Sequence, residues 1–506
     1  MSGNGFTRRR FFYGTLLAGA VPAGGFGSTP SLKMLGYRSP NEKLNIAGIG
    51  CGGKGASDLR ACSPTENIVA LCDVDEVSAA QTFKYFEKQP KYKDFRQMLD
   101  KEGGNIDAVI VATPDFMHAT AAMHCIERGK HVYVQKPLTR TIWEARKLKE
   151  ATAKHRVATQ MGNQGYSNEG TRQCAEMIWA GEIGNVTDVH AWTDRPIWPQ
   201  GLAEVPGADA APSTLDWDLW LGIASQRPYT SGGEKYAKSR NKFYQPFNWR
   251  GFYDFGCGAL GDMACHILGA PNLALRLGAP TSVECLKKEG TSQFMFPKSS
   301  VIRFDFPARG SMPAVKLLWY DGLKETPKIP GVPEGEYLGD LPRPPRPQGQ
   351  GARRNEGERR QRAQQPVGSV FTWSDAYVPG APRPERMPTP DGSVFIGDKG
   401  IITTGTYGED TRLIPVEKMR DYRFPTQFLS RSPGHYHDWI RACKGGDPAC
   451  SNFDQAAPFT EWILLGVISL RVEGKLVWDS AKMRVTNSAE ANKYVKPAFR
   501  KGWSFA

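Results

Sequence analysis

Short apolar runs recur along the first third of the chain, and each is followed by a stretch long enough to form a helix. The runs are Ile46–Ile49, Ile68–Cys72, Ala108–Ala112, His131–Val134 and Val157–Thr159. Strands that alternate with helix-length segments are typical of a parallel, doubly wound sheet with helices on both faces. The pattern therefore predicts an α/β Rossmann domain over residues 41–162, with its ligand outside the carboxyl ends of the strands.

The pattern changes after about residue 163, where the apolar runs become longer and regular intervening helices disappear. These runs are Val186–Thr193, Ser282–Leu286, Val301–Phe306, Val315–Tyr320 and Val394–Ile396. They predict an α+β domain over residues 163–485 with a large, mostly antiparallel sheet. Within it, residues 340–366 carry seven arginines and many prolines, and we expect a disordered insertion there. Residues 486–506 are taken as a C-terminal tail.

The first apolar run ends in a G-x-G-x-x-G turn formed by Gly48, Gly50 and Gly53, with Gly52 beside them. In the dinucleotide-binding fingerprint the first glycine permits a tight turn and the second lets the backbone approach a pyrophosphate. The third lets the helix pack close to the strand. We therefore expect these four glycines to contact a cofactor, with its phosphates on the free N–H groups at the helix N-terminus.

Asp73 stands at the end of the second apolar run, 20 residues beyond Gly53. An acid at this spacing accepts hydrogen bonds from the adenosine ribose hydroxyls. A carboxylate there repels a 2′-phosphate, so the sequence favours NAD over NADP.

Polar residues also follow the other predicted strands of the parallel sheet. Thr113, Pro114 and His118 come after one of them and are assigned to the cofactor, whereas Asn163 follows the last and is assigned to the substrate. Lys136 follows a buried run and precedes a proline that fixes the chain direction. From there its ammonium can reach both a substrate hydroxyl and the nicotinamide ribose, so we assign it to cofactor and catalysis.

Asp262 and His266 lie four residues apart and share one face if their segment is helical. A carboxylate beside an imidazole orients it and supports its protonated form, so the pair can take a proton from an alcohol. The structural alternative is a helix-capping aspartate and a histidine at the edge of the core. No third ligand is evident nearby, so no metal is predicted. Trp249 is a candidate for stacking on a sugar ring.

The basic charge is concentrated in two segments and does not indicate nucleic-acid binding. The net charge is +13, of which residues 1–43 and 340–366 supply the larger part. Arg8-Arg9-Arg10 precedes a modest apolar stretch, as in a Tat export signal. We expect a signal segment at 1–30, a linker at 31–40, export to the periplasm through the Tat machinery, and no membrane span. A protein folded before export is expected to carry few or no disulfides.

Together these motifs resemble the glucose–fructose oxidoreductase/inositol dehydrogenase (Gfo/Idh/MocA) family over about residues 41–480. The resemblance is carried by the glycine turn, Ala112–His118, Lys136-Pro137 and Gly258–His266. It implies that Lys136 contacts cofactor and substrate, that Asp262 and His266 supply the acid–base group, and that the chain forms a homo-oligomer through the second sheet. The usual Glu-Lys-Pro of the family is Gln135-Lys136-Pro137 here, which removes a negative charge beside the lysine.

The reading that combines these expectations is an NAD-dependent oxidoreductase that transfers hydride between a tightly bound cofactor and a sugar, glycoside or polyol. Two alternatives stay open, and a third, a metal hydrolase, is disfavoured because no third ligand accompanies Asp262 and His266. The same residues would serve an NAD-dependent glycosidase, which oxidises, eliminates, hydrates and reduces again. A sugar-binding protein with a relict cofactor site is the non-enzymatic alternative.

Overall fold

Two β-sheets organise the protein, as seen in a computed structural model that describes residues 42–237, 241–290, 292–341 and 391–505. The expected signal segment 1–30 and linker 31–40 lie outside the described residues, as do residues 342–366 of the expected insertion.

The first sheet has six parallel strands in the order β3-β2-β1-β4-β5-β6, which confirms the doubly wound Rossmann domain. Its strands are β1 (Asn45–Ile49), β2 (Asn67–Cys72), β3 (Lys91–Tyr92), β4 (Ala108–Val111), β5 (His131–Val134) and β6 (Thr159–Met161). The chain runs from β1 to β3 on one side and then returns to place β4 on the other side of β1. This reversal opens a crevice at the carboxyl ends of β1 and β4, where open α/β sheets bind ligands.

Five helices connect these strands and cover the sheet: α1 (Gly53–Cys62), α2 (Glu76–Tyr85), α3 (Phe95–Glu102), α4 (Asp115–Glu127) and α5 (Ile142–His155). Local side chains fix several of their starts. Asp75 accepts hydrogen bonds from the backbone N–H groups of Val77 and Ser78, and Thr141 and Glu144 form a reciprocal capping box.

The close approach of α1 to the glycine turn depends on Gly55. The sequence analysis assigned this contact to Gly53, the third glycine of the motif, and that assignment is wrong. A Cβ on Gly55 would lie 1.9 Å from the carbonyl oxygen of Gly50. Gly53 has open space around its Cα, and its φ of +47° is the reason for glycine there. The sequence motif located the turn but misplaced the packing contact by two residues.

The second sheet has nine strands in the order β13-β12-β11-β7-β10-β9-β8-β14-β15. Among its described pairs only β7 and β10 run parallel, so the expected mostly antiparallel sheet is confirmed. The strands are β7 (Val186–Trp192), β8 (Ser282–Glu289), β9 (Ser299–Phe306), β10 (Val315–Asp321), β11 (Gly392–Gly397), β12 (Ile401–Thr404), β13 (Arg412–Ile414), β14 (Leu476–Asp479) and β15 (Arg484–Val485).

Helices of the second half lie between and beside these strands. They are α6 (Glu169–Trp179), α7 (Trp217–Leu221), α8 (Glu234–Ala237), α9 (Gly258–Ile267), α10 (Gly269–Ala274), α11 (His435–Cys443), α12 (Phe453–Ser469) and α13 (Ala489–Asn492). All ten residues of α9 are buried, so this helix is surrounded by protein on every side. Residues 486–505 are not a free tail, because they contain α13 and the Val495 carbonyl accepts from the Trp143 N–H.

Helices α11 and α12 return to the first domain, although the sequence assigned them to the second. Trp439 of α11 is fully buried in the core cluster formed by β1 and α1. On the other side, Arg146 of α5 makes two hydrogen bonds to the Glu461 carboxylate of α12, at 2.7 and 2.5 Å. A boundary near residue 162 therefore separates the chain in sequence but not in space.

The sixth strand begins at Thr159 and not at Val157, where the sequence placed it. Helix α5 ends at His155, and its C-cap residue Arg156 has a left-handed backbone conformation. Two further residues connect this cap to the strand. All ten cysteines are free thiols. Of the helices in the described ranges, none combines the length and the apolar character that crossing a bilayer requires.

Replacing Gly55 by alanine should destabilise the protein by about 3 kcal/mol, because the new methyl group meets fixed backbone and α1 must move away. The matched control is Gly103→Ala, which has no atom within 4 Å of the added Cβ and a helical φ of −54°. It should be neutral or stabilising by at most ~1 kcal/mol. Guanidinium unfolding followed by circular dichroism measures both, and equal midpoints for the two variants would contradict the packing assignment.

Candidate active site

The glycine turn forms an open cradle at the carboxyl end of β1. Gly50 has a φ of +83°, and a Cβ there would lie 2.5 Å from the carbonyl oxygen of Ala112. Gly52 is the N-cap of α1, and no side chain caps this helix. The first N–H groups of a helix have no partner within it, so the bare end of α1 suits a diphosphate.

Asp73 lies against this cradle, as its spacing predicted. Its Oδ2 accepts from the backbone N–H groups of Cys51 at 2.7 Å and Gly52 at 3.1 Å, and its Oδ1 accepts from Asp75 N at 2.9 Å. Burial raises its pKa to about 6 in spite of these hydrogen bonds. The carboxylate thus braces the turn in the free protein, and its contact with a ribose stays a prediction.

Thr113 and Pro114 lie where β4 ends and α4 begins, beside Gly50. The Thr113 hydroxyl is buried and has no hydrogen-bond partner, and Pro114 is the N-cap of α4. An unpartnered buried hydroxyl costs free energy unless a ligand satisfies it. Thr113 therefore fits the cofactor position assigned to it.

His118 lies behind the cleft and not on its surface. Its Nδ1 is 2.8 Å from the carbonyl oxygen of Pro137, and its Nε2 is 2.8 Å from that of Thr113. The ring therefore connects the loop after β4 to the loop after β5. Since both ring nitrogens already face backbone carbonyls, the structure makes His118 a positioning residue instead of the cofactor contact that the sequence suggested.

Lys136 and Asp262 meet between the two domains, 126 positions apart in sequence. The Lys136 ammonium donates to the Asp262 Oδ1 at 2.7 Å and to its backbone carbonyl at 3.1 Å. Arg250 donates to the same Oδ1 through Nε at 3.0 Å. Burial opposes ionisation of Asp262, but the charges of Lys136 and Arg250 overcome it and hold its pKa below the ordinary value.

His266 lies one turn along α9 from Asp262, as expected, but the Asp262 carboxylate hydrogen-bonds Lys136 and Arg250 and does not orient the imidazole. The Nδ1 of His266 is buried without a partner, and its ring packs edge-on against Tyr407 at 4.7 Å between centroids. Burial lowers its pKa well below the ordinary value, with a further contribution from Lys136 that outweighs the attraction of Asp262. His266 is therefore a neutral imidazole at pH 7 and is able to accept a proton.

The two residues assigned to substrate binding are both buried. Asn163 is fully buried, where it accepts a hydrogen bond from Ser451 at 2.5 Å and lies 3.4 Å from the Cys265 carbonyl. Trp249 donates its indole N–H to Pro246 at 3.1 Å and packs against the Arg250 guanidinium. The structure gives both a supporting role, because their polar atoms are already used within the protein.

Several site residues escaped the sequence analysis. Arg250 is the clearest, and its only signal was its position next to Trp249. Beneath Lys136, the Gln135 amide donates to the buried Asp58 carboxylate at 2.6 Å, and Asp58 also accepts from Tyr436 at 2.6 Å. Lys54 forms an ion pair with the same carboxylate. In the described ranges, no group of three or more potential metal ligands is assembled.

Two family models match the chain. Residues 44–163 match an oxidoreductase family with an NAD-binding Rossmann fold, and residues 184–284 match the C-terminal alpha/beta domain of the oxidoreductase family. A protein of Solibacter usitatus named glycosyl hydrolase family 109 protein is 30% identical over 185 residues, which is 33% of this chain and 41% of the relative. An inositol 2-dehydrogenase of Serratia proteamaculans is 30% identical over 157 residues, 30% of this chain and 46% of the relative. The chain thus aligns with less than half of either relative.

Solved structures share the fold at low sequence identity. The WlbA dehydrogenase of Bordetella pertussis, solved with NADH and UDP-GlcNAcA, has a TM-score of 0.52 at 14% identity, covering 87% of this chain and 99% of that one. GenD2 from gentamicin A biosynthesis, solved with NAD, has a TM-score of 0.51 at 17% identity, covering 90% and 100%.

Fold and comparisons together define a two-domain protein built on an NAD-binding Rossmann fold. Two segments of the chain, residues 44–163 and 184–284, match the models of the Gfo/Idh/MocA oxidoreductase family that its motifs indicated.

The His266 imidazole should titrate below pH 6.5, because burial and the Lys136 charge disfavour its protonated form. Heteronuclear NMR of the histidine rings measures this, with the signal assigned by its loss in His266→Gln. Removing the cation in Lys136→Met should raise the midpoint. In the wild-type protein below about pH 6.5, the unfolded state binds a proton at His266 that the folded state does not bind. The free energy of unfolding therefore decreases as the pH falls below about 6.5. A midpoint at or above 6.5 would refute the assignment.

Proposed function

We propose that this protein is an NAD-dependent oxidoreductase that transfers hydride between its cofactor and a secondary hydroxyl of a sugar, glycoside or polyol. The observation that carries the proposal is the position of the Lys136 ammonium. It lies at the end of β5, next to β4, whose end carries Thr113, and two strands from β1, whose end carries the glycine cradle. It also contacts the helix that bears His266.

The ammonium of Lys136 retains one donor for a substrate oxygen. An ammonium has three N–H bonds, and two of them point to the Asp262 side chain and carbonyl. The third can hydrogen-bond a substrate hydroxyl and stabilise the negative charge that grows on its oxygen as the hydroxyl proton leaves. Asp262, kept ionised by Lys136 and Arg250, holds the ammonium in place.

His266 is the group that takes the hydroxyl proton. Its imidazole is neutral, its Nδ1 has no protein partner, and it lies on the same helix as Asp262. Proton acceptance by His266 and hydrogen bonding by Lys136 therefore act on one substrate oxygen. The glycine cradle, Thr113 and Asp73 would hold NAD, which supplies a hydride acceptor at nicotinamide C4 when bound.

An NAD-dependent glycosidase is the second candidate, and one finding favours it. The relative from Solibacter usitatus carries the name of a glycosyl hydrolase family. Transient oxidation, elimination of the aglycone, hydration and reduction would use the same lysine and histidine and would leave NAD unchanged overall.

Changing Lys136 to methionine should abolish turnover while nucleotide stays bound, because the donor for the substrate oxygen is lost and the cradle is intact. Nucleotide released by denaturing the purified wild-type and variant proteins, identified by absorbance and mass spectrometry, measures retention. NADH formation from a panel of myo-inositol and the methyl glycosides of glucose, galactose and N-acetylgalactosamine measures turnover. Glycoside cleavage without net NADH would select the glycosidase, and near-normal turnover in the variant would remove Lys136 from the mechanism.

Export through the Tat machinery and assembly into homo-oligomers complete the proposal. The Arg8–Arg10 motif supports export. The one-sided burial of β9 and β10 supports oligomers, because it leaves a second sheet face for another subunit.

Replacing Arg8 and Arg9 by lysine should retain the protein in the cytoplasm, as cell fractionation would show. Wild-type protein recovered from the periplasm should have a multiple of the chain mass by light scattering. Periplasmic recovery of the variant, or a monomer mass, would contradict the respective part.

A further inference from the structure

A hairpin of the second sheet brings an aromatic residue to the predicted base. The turn between β12 and β13 carries Tyr407, whose ring packs edge-on against the His266 imidazole at 4.7 Å between centroids and an interplanar angle of 64°. This hairpin forms one edge of the nine-stranded sheet, because β12 pairs with β11 and β13 is the outermost strand. Its arrival at α9 is therefore a feature of the tertiary fold that sequence spacing does not reveal.

The turn is held in a fixed shape at this position. The Asp340 carboxylate accepts from the backbone N–H and the hydroxyl of Thr406, at 2.9 and 2.5 Å. The Tyr407 N–H donates to the Glu409 carboxylate at 2.6 Å, and the Asn168 amide donates to the Tyr407 carbonyl at 3.0 Å. Because several independent hydrogen bonds fix the backbone, the position of the Tyr407 side chain is built into the fold.

Tyr407 is partly exposed, although its ring packs on a buried residue. The residue is 37% exposed, whereas His266 is 5% exposed. Within the part of the chain that the structure describes, its hydroxyl makes no hydrogen bond. A tyrosine with an apolar face beside the base and an unused hydroxyl suits a ligand that has both apolar C–H groups and hydroxyls.

We propose that Tyr407 is a substrate-binding residue that makes the site selective for cyclic sugars and cyclic polyols. Its ring packs against the C–H face of the substrate ring, and its hydroxyl hydrogen-bonds a substrate hydroxyl next to the one that His266 deprotonates. A linear polyol presents no such flat face. This proposal rests on the proposed function and adds to it the residue that recognises the substrate.

The alternative is that Tyr407 only packs on His266 and shields it from water. The two roles separate in the variants Tyr407→Phe and Tyr407→Ala. Phenylalanine keeps the ring against His266 and removes only the hydroxyl, so a pure packing role predicts no change in KM. Loss of a hydrogen bond to substrate predicts a KM about tenfold higher, which corresponds to ~1.4 kcal/mol, with NAD affinity unchanged.

The experiment compares NAD-loaded wild-type protein with the Tyr407→Phe and Tyr407→Ala variants on the four cyclic compounds of the panel and on the linear polyol sorbitol. Tyr85 provides the matched control, because it is 61% exposed, packs on a neighbouring ring and lies at the end of α2. Tyr85→Phe and Tyr85→Ala should match the wild type. For cyclic substrates, Tyr407→Phe should raise KM about tenfold and Tyr407→Ala should raise it further, while wild-type protein prefers the cyclic compounds.

Each of the following results would contradict the proposal or decide which variant tests it. An unchanged KM in Tyr407→Phe, or a change in kcat alone, would show that the residue acts only through His266. A wild-type preference for sorbitol would refute the selectivity. If Tyr407→Ala does not fold, as judged by its NAD affinity and unfolding midpoint, Tyr407→Phe decides alone. A wild-type protein that turns over no panel compound would overturn the proposed function, and this inference with it.

Discussion

The ion pair between Lys136 and Asp262 is the contact on which the rest of the site depends. It joins the end of a strand in the first domain to a buried helix of the second, so it links the loop that follows β5 to the helix that carries His266. Taking opposite charges out of water is costly, and loss of one buried partner typically costs about 3–5 kcal/mol. Arg250 adds a second cation, and its hydrogen bond keeps the carboxylate ionised and oriented.

A separate contact explains how the chain accommodates glutamine at position 135, where the family it resembles usually has glutamate. The amide of Gln135 does not leave the region without negative charge, because it donates to the buried carboxylate of Asp58. That carboxylate belongs to the helix that begins at the glycine turn, and it is also held by Lys54 and Tyr436. The residue before the lysine therefore belongs to a polar network that connects the end of β5 to helix α1 and helix α11.

Periodic features of the sequence were sufficient for the architecture and part of the site. Two examples are the buried strands around Ile46 and Val132 and the four-residue spacing of Asp262 and His266. These features depend only on residues close in sequence, so the sequence alone predicts them. Arg250 and Tyr407 escaped because their positions depend on a tertiary turn and a distant hairpin. Asn163 and Trp249 show the converse: both have suitable chemistry, but packing that no local pattern encodes has buried them.

Short strands were the other gap. The strand Lys91–Tyr92 has two residues, and β12 to β15 are each two to four residues long. Segments of this length show too few alternations to differ from a loop, and they become strands only because a longer neighbour offers its free edge. His118 was misjudged for a related reason, since the two carbonyls that engage it belong to separate loops.

The return of α11 and α12 to the first domain affects the order in which the protein can be made. Trp439 completes the core around β1, and Glu461 pairs with Arg146, yet Trp439 follows the end of β1 by 390 residues and Glu461 follows Arg146 by 315. During synthesis the nucleotide-binding half therefore waits with an apolar face exposed to water. That face becomes covered only when the late helices α11 and α12 are present to pack on it.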